Sequence, residues 1–329
     1  MTPRRVGQVF ALAVALPGCS GVQSALSPSG REALDIDPLF WTVTAIAAAV
    51  TLLVTVLVGL AIYGPRSWRE RLSGDWIIVG GGIVFPVVVL TLLLVYGFVV
   101  MQAGATRAAL AEGPGTTIVG KRWWWKVVYE TPDGREIVSA NELRIPVGRA
   151  TPLRLITTDV IHSFWAPRLA GKLDMIPGRT NVLTVEPTEA GISRGQCAEY
   201  CGGAHALMSF FVIAMPAEEY DAWLEAEAQP AREPRDESLA AGLDLFLSNG
   251  CGACHTIRGT PAAGVVGPDL THLGSRHSLA AATLPNNAEA IANWIADNQH
   301  IKPANLMPEY DYLGADELAS ISSYLASLE

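Results

Sequence analysis

The sequence predicts a membrane-anchored multidomain chain: a two-helix transmembrane hairpin, an all-β sandwich and a small all-α domain. Two uncharged apolar runs, residues 39–63 and 76–101, are each about 25 residues long, enough to cross a ~30 Å hydrocarbon core. Between residues 106 and 225, short strand-like runs alternate with Gly, Pro and Asp-Gly turns, the rhythm of a sandwich or barrel. Beyond a charged, proline-broken stretch, Cys251-Gly252-Ala253-Cys254-His255 sits among helically periodic segments. The 329 residues suffice for two or three domains, half of them are hydrophobic, and a net charge of −9 gives no basis for nucleic-acid binding.

At the N-terminus, Arg4 and Arg5 precede an apolar run, 9–16, that leads into Pro17-Gly18-Cys19. A charged start, a short apolar core and small residues describe a signal peptide over 1–18. The L-P-G-C ending resembles a bacterial lipobox, which would make Cys19 a lipidated N-terminus leading a segment 19–38 held to membrane lipid. The alternative, an ordinary signal peptide with an incidental Cys, leaves a free exported thiol. Between the spans, Arg66, Arg69 and Arg71 outnumber Glu70 and Asp75. This excess places the short loop in the cytoplasm and everything after about residue 105 on the periplasmic or outer side. Gly80-Gly81-Gly82 and Pro86 are expected to loosen or kink the second span.

In the β domain, strands are expected at 137–139, 152–157, 181–185 and 209–214. Just before the last lies C-A-E-Y-C-G-G-A-H-A-L-M, residues 197–208. Two thiolates, an imidazole and a thioether form a soft donor set, suited to copper cycling between Cu(I) and Cu(II) rather than to Mg²⁺ or Ca²⁺. A mononuclear blue-copper site needs one Cys. The second thiolate lets two sulfurs bridge two metals, so the run suggests a dinuclear electron-transfer centre. Such a site needs another histidine. Of the six in the chain (His162, His205, His255, His272, His277 and His300), only His162 and His205 fall in this domain. His162, in D-V-I-H-S-F-W, is the expected partner, although a lone His beside apolar residues is ordinarily a satisfied core residue.

Residues 226–237 read as a linker, and 238–329 as the helical domain, with helices at 288–300 and 315–328. C-x-x-C-H is the c-type haem signature: Cys251 and Cys254 form the thioethers and His255 is the proximal iron ligand. A redox pair would not need the His, and 238–329 holds no second Cys pair for zinc. Met307, in P-A-N-L-M-P, is the only methionine after residue 215 and the expected sixth ligand, ahead of His272, His277 and His300. Gly267-Pro268-Asp269-Leu270 resembles the cytochrome c pattern in which the proline carbonyl accepts the proximal His Nδ1–H.

Residues 35–225 resemble subunit II of the haem–copper cytochrome oxidases. The matching pieces are the two spans, K-R-W-W-W, D-V-I-H-S-F-W-A-P, G-K-L-D-M-I-P-G-R and the copper run. With its haem motif the whole chain resembles the caa-type, whose subunit II carries a fused cytochrome c domain. The resemblance implies a cupredoxin sandwich at 106–225 and a dinuclear CuA centre. Cys197 and Cys201 would bridge both coppers and His162 and His205 would each bind one. Met208 would bind one copper weakly, and the Glu199 backbone carbonyl the other. The Glu199 side chain would face subunit I as a magnesium ligand. Trp123 aligns with the family's electron-entry tryptophan, an aromatic surface near the copper, while Trp124 is left to core packing by strand alternation, with Trp125 a further candidate for the core. One departure stands out. Where many members carry E-x-x-W-T-x-x-P at the mouth of a proton path, alignment on Pro86 puts Val79 at the Glu position and Gly82 at the Trp position.

The implied function is electron entry into a proton-translocating-type cytochrome c oxidase, a respiratory-chain translocase of the bacterial inner membrane. Electrons would come from an external donor, cytochrome c or a quinol–cytochrome c reductase complex. They would pass through haem c and copper to subunit I, with other oxidase subunits as partners. The same electron-entry role in a haem–copper nitric-oxide reductase is the alternative. A quinol-oxidising subunit II lacks the cysteine pair, and a soluble nitrous-oxide reductase domain lacks the spans. Fusion makes delivery intramolecular, with linker length expected to set the effective concentration of the haem domain.

Overall fold

The computed structural model describes residues 20–109, 115–131 and 133–329. The expected signal peptide, 1–18, and Cys19 lie outside the described residues. The chain divides into two compact units, Glu32–Leu110 and Met1–Arg31 with Ala111–Glu329.

The first of these is helical. Helix α1 (Arg31–Tyr63) and the run Asp75–Gly104 have mean hydropathies of 2.7 and 2.8 over their most apolar stretches, and none of those stretches is buried. Both are long and apolar enough to cross a membrane. Between them lies α2 (Arg66–Leu72). The second run is assembled from α3 (Asp75–Val79), a π-helical turn (Gly80–Val84) and α4 (Phe85–Ala109). The expected loosening takes the form of this turn. Pro86 has no N–H to give, and Phe85 N–H reaches back to Gly80 O, one residue further than in an α-helix.

In the second unit, ten strands form two five-stranded sheets. They are β1 (Thr116–Lys121), β2 (Trp124–Glu130), β3 (Glu136–Ala140), β4 (Glu142–Pro146), β5 (Thr151–Thr157), β6 (His162–Trp165), β7 (Leu173–Met175), β8 (Asn181–Val185), β9 (Gly191–Cys197) and β10 (Ser209–Met215). The sheet orders are β3-β2-β1-β5-β8 and β4-β10-β9-β6-β7. Alternation fixes the faces: Leu153 and Leu155 point into the core, while Arg154 turns outward to bond Glu130. At the centre Phe164 stacks on Phe210 at 4.5 Å, with Trp125 edge-on at 5.0 Å from Phe210. The same alternation corrects one expectation. β2 starts at Trp124, and its inward series is Trp125, Val127 and Tyr129, so Trp125, 1% exposed, fills the core and Trp124 faces outward, half-buried. The N-terminal segment lies along the sandwich: Ser29 and Gly30 N–H groups donate to Arg168 O at 2.7 and 3.0 Å.

Helix α5 (Ala217–Glu227) follows β10 and runs into the stretch expected to be linker. The helical domain then holds α6 (Glu237–Ser248), α7 (Ala288–Ala296), the short α8 (Asn298–Ile301) and α9 (Ala315–Ala326). Asp236 and Asn287 cap α6 and α7, accepting from Leu239 N at 2.9 Å and Ala290 N at 2.8 Å. The helix expected over 288–300 breaks at Asp297, whose φ of −140° and ψ of 46° are not helical. α6 and α9 cross at Gly242, where a Cβ would lie 2.5 Å from Ser320 O and 2.7 Å from Tyr324 Cβ. Gly242→Ala is therefore expected to destabilise this domain by about 1–3 kcal/mol, read as a lower thermal midpoint for loss of the haem-domain helices.

A small hairpin, β11 (Ser278–Leu279) and β12 (Leu284–Pro285), interrupts the otherwise helical domain. Between its arms Ala280, Ala281 and Ala282 have φ of 52°, 61° and 58°. Left-handed backbone costs a non-glycine residue roughly 1–2 kcal/mol.

The helical domain packs directly on the sandwich. Arg144 Nη2 donates to Ser275 O at 3.1 Å, His277 N to Glu142 Oε1 at 2.5 Å, and Ser209 N to Ala281 O at 3.3 Å. Beside the expected linker, these hydrogen bonds join the two domains directly.

Candidate metal centres

The copper run is held between strands. His162 opens β6, Cys197 closes β9, and Met208 precedes β10. The loop is tied at its base by Cys197 N–H to Met208 O at 2.8 Å and Ala198 N–H to Ser163 O at 3.0 Å. The expected donors converge. Cys197 Sγ lies 3.8 Å from Cys201 Sγ, 3.8 Å from His162 Nδ1 and 3.2 Å from Glu199 O. Cys201 Sγ lies 3.5 Å from His205 Nδ1 and 3.9 Å from Met208 Sδ. Cys197, Cys201, His162 and Met208 are all buried.

Electrostatics favour a cation here. The hydrogen bond from Cys201, with those of His162 and the Glu199 and Ser163 backbone, holds the Cys197 thiol far below the usual thiol range. Cys197 in turn pushes Cys201 up by its hydrogen bond, with burial and its charge adding to the effect. Two thiolates this close are stable together only with positive charge between them. The soft, buried sulfur and imidazole set fits copper.

Asp159 is a site residue that the motif did not single out, although it stands three residues before His162. Its Oδ1 lies 2.8 Å from His162 Nε2, leaving Nδ1 toward the sulfurs. Burial raises the Asp159 carboxyl, but hydrogen bonds from His162, Arg122 N and Val160 N outweigh it and hold the group below its ordinary value. A carboxylate behind a ligand imidazole fixes its tautomer and ring orientation. Gly120 leaves room for that ring: a Cβ there would lie 2.9 Å from His162 Cδ2. Asp159→Asn is expected to weaken copper binding roughly 10–100-fold in chelator competition, with the sandwich still folded.

Trp123 is not an open aromatic surface. It is 6% exposed, its indole N–H donates to Cys201 O at 3.0 Å, and its ring lines the cavity of the helical domain. Trp124 lines the same cavity. The Glu199 side chain is 44% exposed, with Oε2 3.9 Å from Lys172 Nζ.

That cavity is walled by Cys251, Cys254, His255, Pro268 and Met307. The left-handed Gly250 turns α6 into the short helical turn that carries the cysteines. His255 Nδ1 lies 2.7 Å from Pro268 O, and burial pushes the imidazole below its ordinary value, so Nε2 is free as a neutral ligand. A Cβ on Gly267 would sit 2.5 Å from His255 Cε1, which explains the glycine before Pro268. Met307 is fixed by its neighbours: its N–H donates to Asn305 Oδ1 at 2.8 Å and its carbonyl accepts from Gln299 Nε2 at 3.0 Å. Of the competing histidines, His272 bonds Gln229 O at 3.1 Å, and neither it nor His277 nor His300 lines the cavity. Arg276 Nε and Ser278 Oγ are buried without a protein partner on residues that line this cavity. Such donors fit a cofactor that carries carboxylates as well as iron, as haem does.

Paired sulfurs ringed by imidazoles, beside a C-x-x-C-H cavity, define a copper- and haem-binding electron-transfer protein. The family model described as cytochrome c oxidase subunit II, periplasmic domain, matches residues 129–215, and the one described as cytochrome c matches residues 239–329. The cytochrome c oxidase subunit 2 of Alkalihalophilus pseudofirmus is 32% identical over 97% of this chain and 95% of that protein. That of Bacillus sp. (strain PS3) is 30% identical over 75% of this chain and 72% of that protein. Among solved structures, the periplasmic domain of subunit II of cytochrome oxidase of Bradyrhizobium japonicum is 29% identical over 35% of this chain and 92% of that one, with a TM-score of 0.33.

The chain belongs to the cytochrome c oxidase subunit 2 family. It is a subunit of a haem–copper oxidoreductase, with a copper domain that implies CuA and a cytochrome c domain that implies haem c.

Proposed function

We propose that this chain is the electron-entry subunit of a proton-translocating-type cytochrome c oxidase that reduces O₂ in subunit I. The haem and the copper pair supply one-electron chemistry, and the chain's own residues hold them. Cys197 and Cys201 would hold the copper pair through their thiolates, together with His162, His205, Met208 and the Glu199 carbonyl. Cys251 and Cys254 would carry the haem, and His255 and Met307 would hold its iron, the Met/His pair that suits a high-potential oxidase. The single observation that carries this reading is the convergence of all six expected copper donors in one cluster, of which His162, Cys197, Cys201 and Met208 are buried. Trp123 bonds the copper loop and lines the haem cavity, which supports its role as the entry residue from the haem side.

The finer assignments follow the same reading. The exposed Glu199 carboxylate is the ligand for an interface magnesium shared with subunit I. The chain is a signal-peptide-bearing lipoprotein anchored at Cys19, and its two apolar helices span the bacterial inner membrane twice, with the metal domains on the outer face. The external donor is cytochrome c or a quinol–cytochrome c reductase complex. The test is turnover of the purified complex with reduced cytochrome c. O₂ consumption without NO reduction, with acid release outside vesicles, is expected. NO reduction in place of O₂ consumption would contradict it. A mature N-terminus ending in unmodified residues upstream of Cys19 would remove the lipid anchor.

A further inference from the structure

We propose that Lys302 is a positioning residue that latches the haem domain onto the copper loop, so that the two centres face each other in one fixed geometry. The inference rests on the copper and haem reading above.

Lys302 lies in the haem domain, just ahead of the Met307 loop, and is 3% exposed. Its Nζ lies within hydrogen-bond distance of three carbonyl acceptors: Trp123 O at 2.7 Å, Leu207 O at 2.9 Å and Ala280 O at 3.0 Å. Two of these belong to the copper domain. Leu207 immediately precedes Met208, and Trp123 bonds Cys201 O through its indole. On the haem side, the Lys302 carbonyl accepts from Asn305 Nδ2 at 2.9 Å, and Asn305 Oδ1 accepts from Met307 N at 2.8 Å. One side chain therefore ties the segment holding the haem's expected Met ligand to the segment holding the copper's expected Met ligand. A buried side-chain nitrogen is tolerated only when its hydrogen bonds are satisfied, and here the acceptors come from both domains.

Backbone strain marks the same place. Among the described residues, the non-glycine positions with positive φ are Asn141, Ala280, Ala281, Ala282 and Ala304. Each of the three consecutive alanines uses its carbonyl across or beside the interface. Ala280 O accepts from Lys302, Ala281 O from Ser209 N, and Ala282 O from Arg194 Nη2 at 3.3 Å. Ala304 packs against the copper loop: a Cβ on Gly203 would lie 3.8 Å from its own Cβ. Asn141 lines the haem cavity from the copper domain. Unfavourable backbone persists where surrounding contacts over-determine it, and at Ala281 and Ala282 the hydrogen bonds that do so cross between the domains.

The test compares intact oxidase containing wild-type chain, Lys302→Met, and each with a flexible insertion between Arg232 and Glu233. Copper and haem content and spectra are measured first on every variant. Abnormal spectra in wild type would count against the metal-site reading, independently of the latch. Two quantities are then followed: haem-to-copper electron transfer after flash reduction at several solvent viscosities, and hydrogen exchange of the Ser209 amide, whose acceptor is Ala281 in the other domain. Wild type should transfer at a rate independent of viscosity and unchanged by the insertion. Lys302→Met should expose the Ser209 amide, raising its exchange by roughly tenfold or more, and should slow transfer in a viscosity-dependent way that the insertion worsens. A residue that merely stabilised the haem domain would move neither Ser209 exchange nor the viscosity dependence. Unchanged exchange and unchanged viscosity dependence in Lys302→Met would overturn the proposal. So would a wild-type rate that falls with the insertion alone, which keeps the test decisive even if Lys302→Met fails to retain its cofactors.

Discussion

Cys201→Ser is expected to collapse the copper pair. A serine hydroxyl does not ionise at neutral pH and is a hard donor, so it cannot replace a bridging thiolate. Cys201 lies within 4 Å of three other expected donors, Cys197, His205 and Met208, so its loss unties the cluster at its middle. Copper content should drop by half or more relative to haem, and any remaining copper should give a mononuclear EPR spectrum. Turnover of the assembled oxidase should fall on the order of 100-fold, about 2.7 kcal/mol of barrier. The sandwich itself should survive, because its core of Trp125, Phe164 and Phe210 is intact in the variant. A full complement of copper with an unaltered spectrum would contradict the bridging role.

Met307→His is expected to be the second-largest effect, acting on potential rather than on metal content. Exchange of a thioether for an imidazole opposite His255 should lower the haem potential by on the order of a few hundred mV. Each ~59 mV is a factor of ten in a one-electron equilibrium, so electrons would stay away from the haem relative to a high-potential donor. The haem should remain attached through Cys251 and Cys254, and the optical signature of sulfur ligation should vanish. Redox titration of the purified chain gives the shift directly. An unchanged potential would mean that Met307 does not bind the iron, despite its place in the cavity wall and its fixation by Asn305 and Gln299.

Most of the site was legible in the chain because its chemistry is compressed into short runs. Cys197, Cys201, His205 and Met208 share one loop, and Cys251 to His255 share one turn, so spacing alone brings the donors together. His162 was reachable by counting, since only one other imidazole lies in its domain. Groups that act through tertiary contact escaped. Asp159 is an ordinary Asp in an exposed-looking turn until β6 places His162 Nε2 against it. Lys302 is an unremarkable lysine in a polar loop until the copper domain supplies two of its three acceptors. The left-handed alanines carry no sequence signal at all, because alanine ordinarily favours right-handed helix. The tryptophan assignment turned on a single register position: with β2 beginning at Trp124, alternation sends Trp125 inward, and a shift of one residue would have sent Trp124 instead. Composition marked the charged stretch as a linker, but the hydrogen bonds between the two domains, such as Ser209 N–H to Ala281 O, leave no trace in it.

The account stands most directly on the stoichiometry and electronic structure of the metal cluster. Copper and haem analysis of the intact chain, combined with EPR of its oxidised form, addresses both together. Two coppers per haem c, with one unpaired electron shared between two copper nuclei, are predicted. One copper per haem with a mononuclear spectrum would contradict the central assignment.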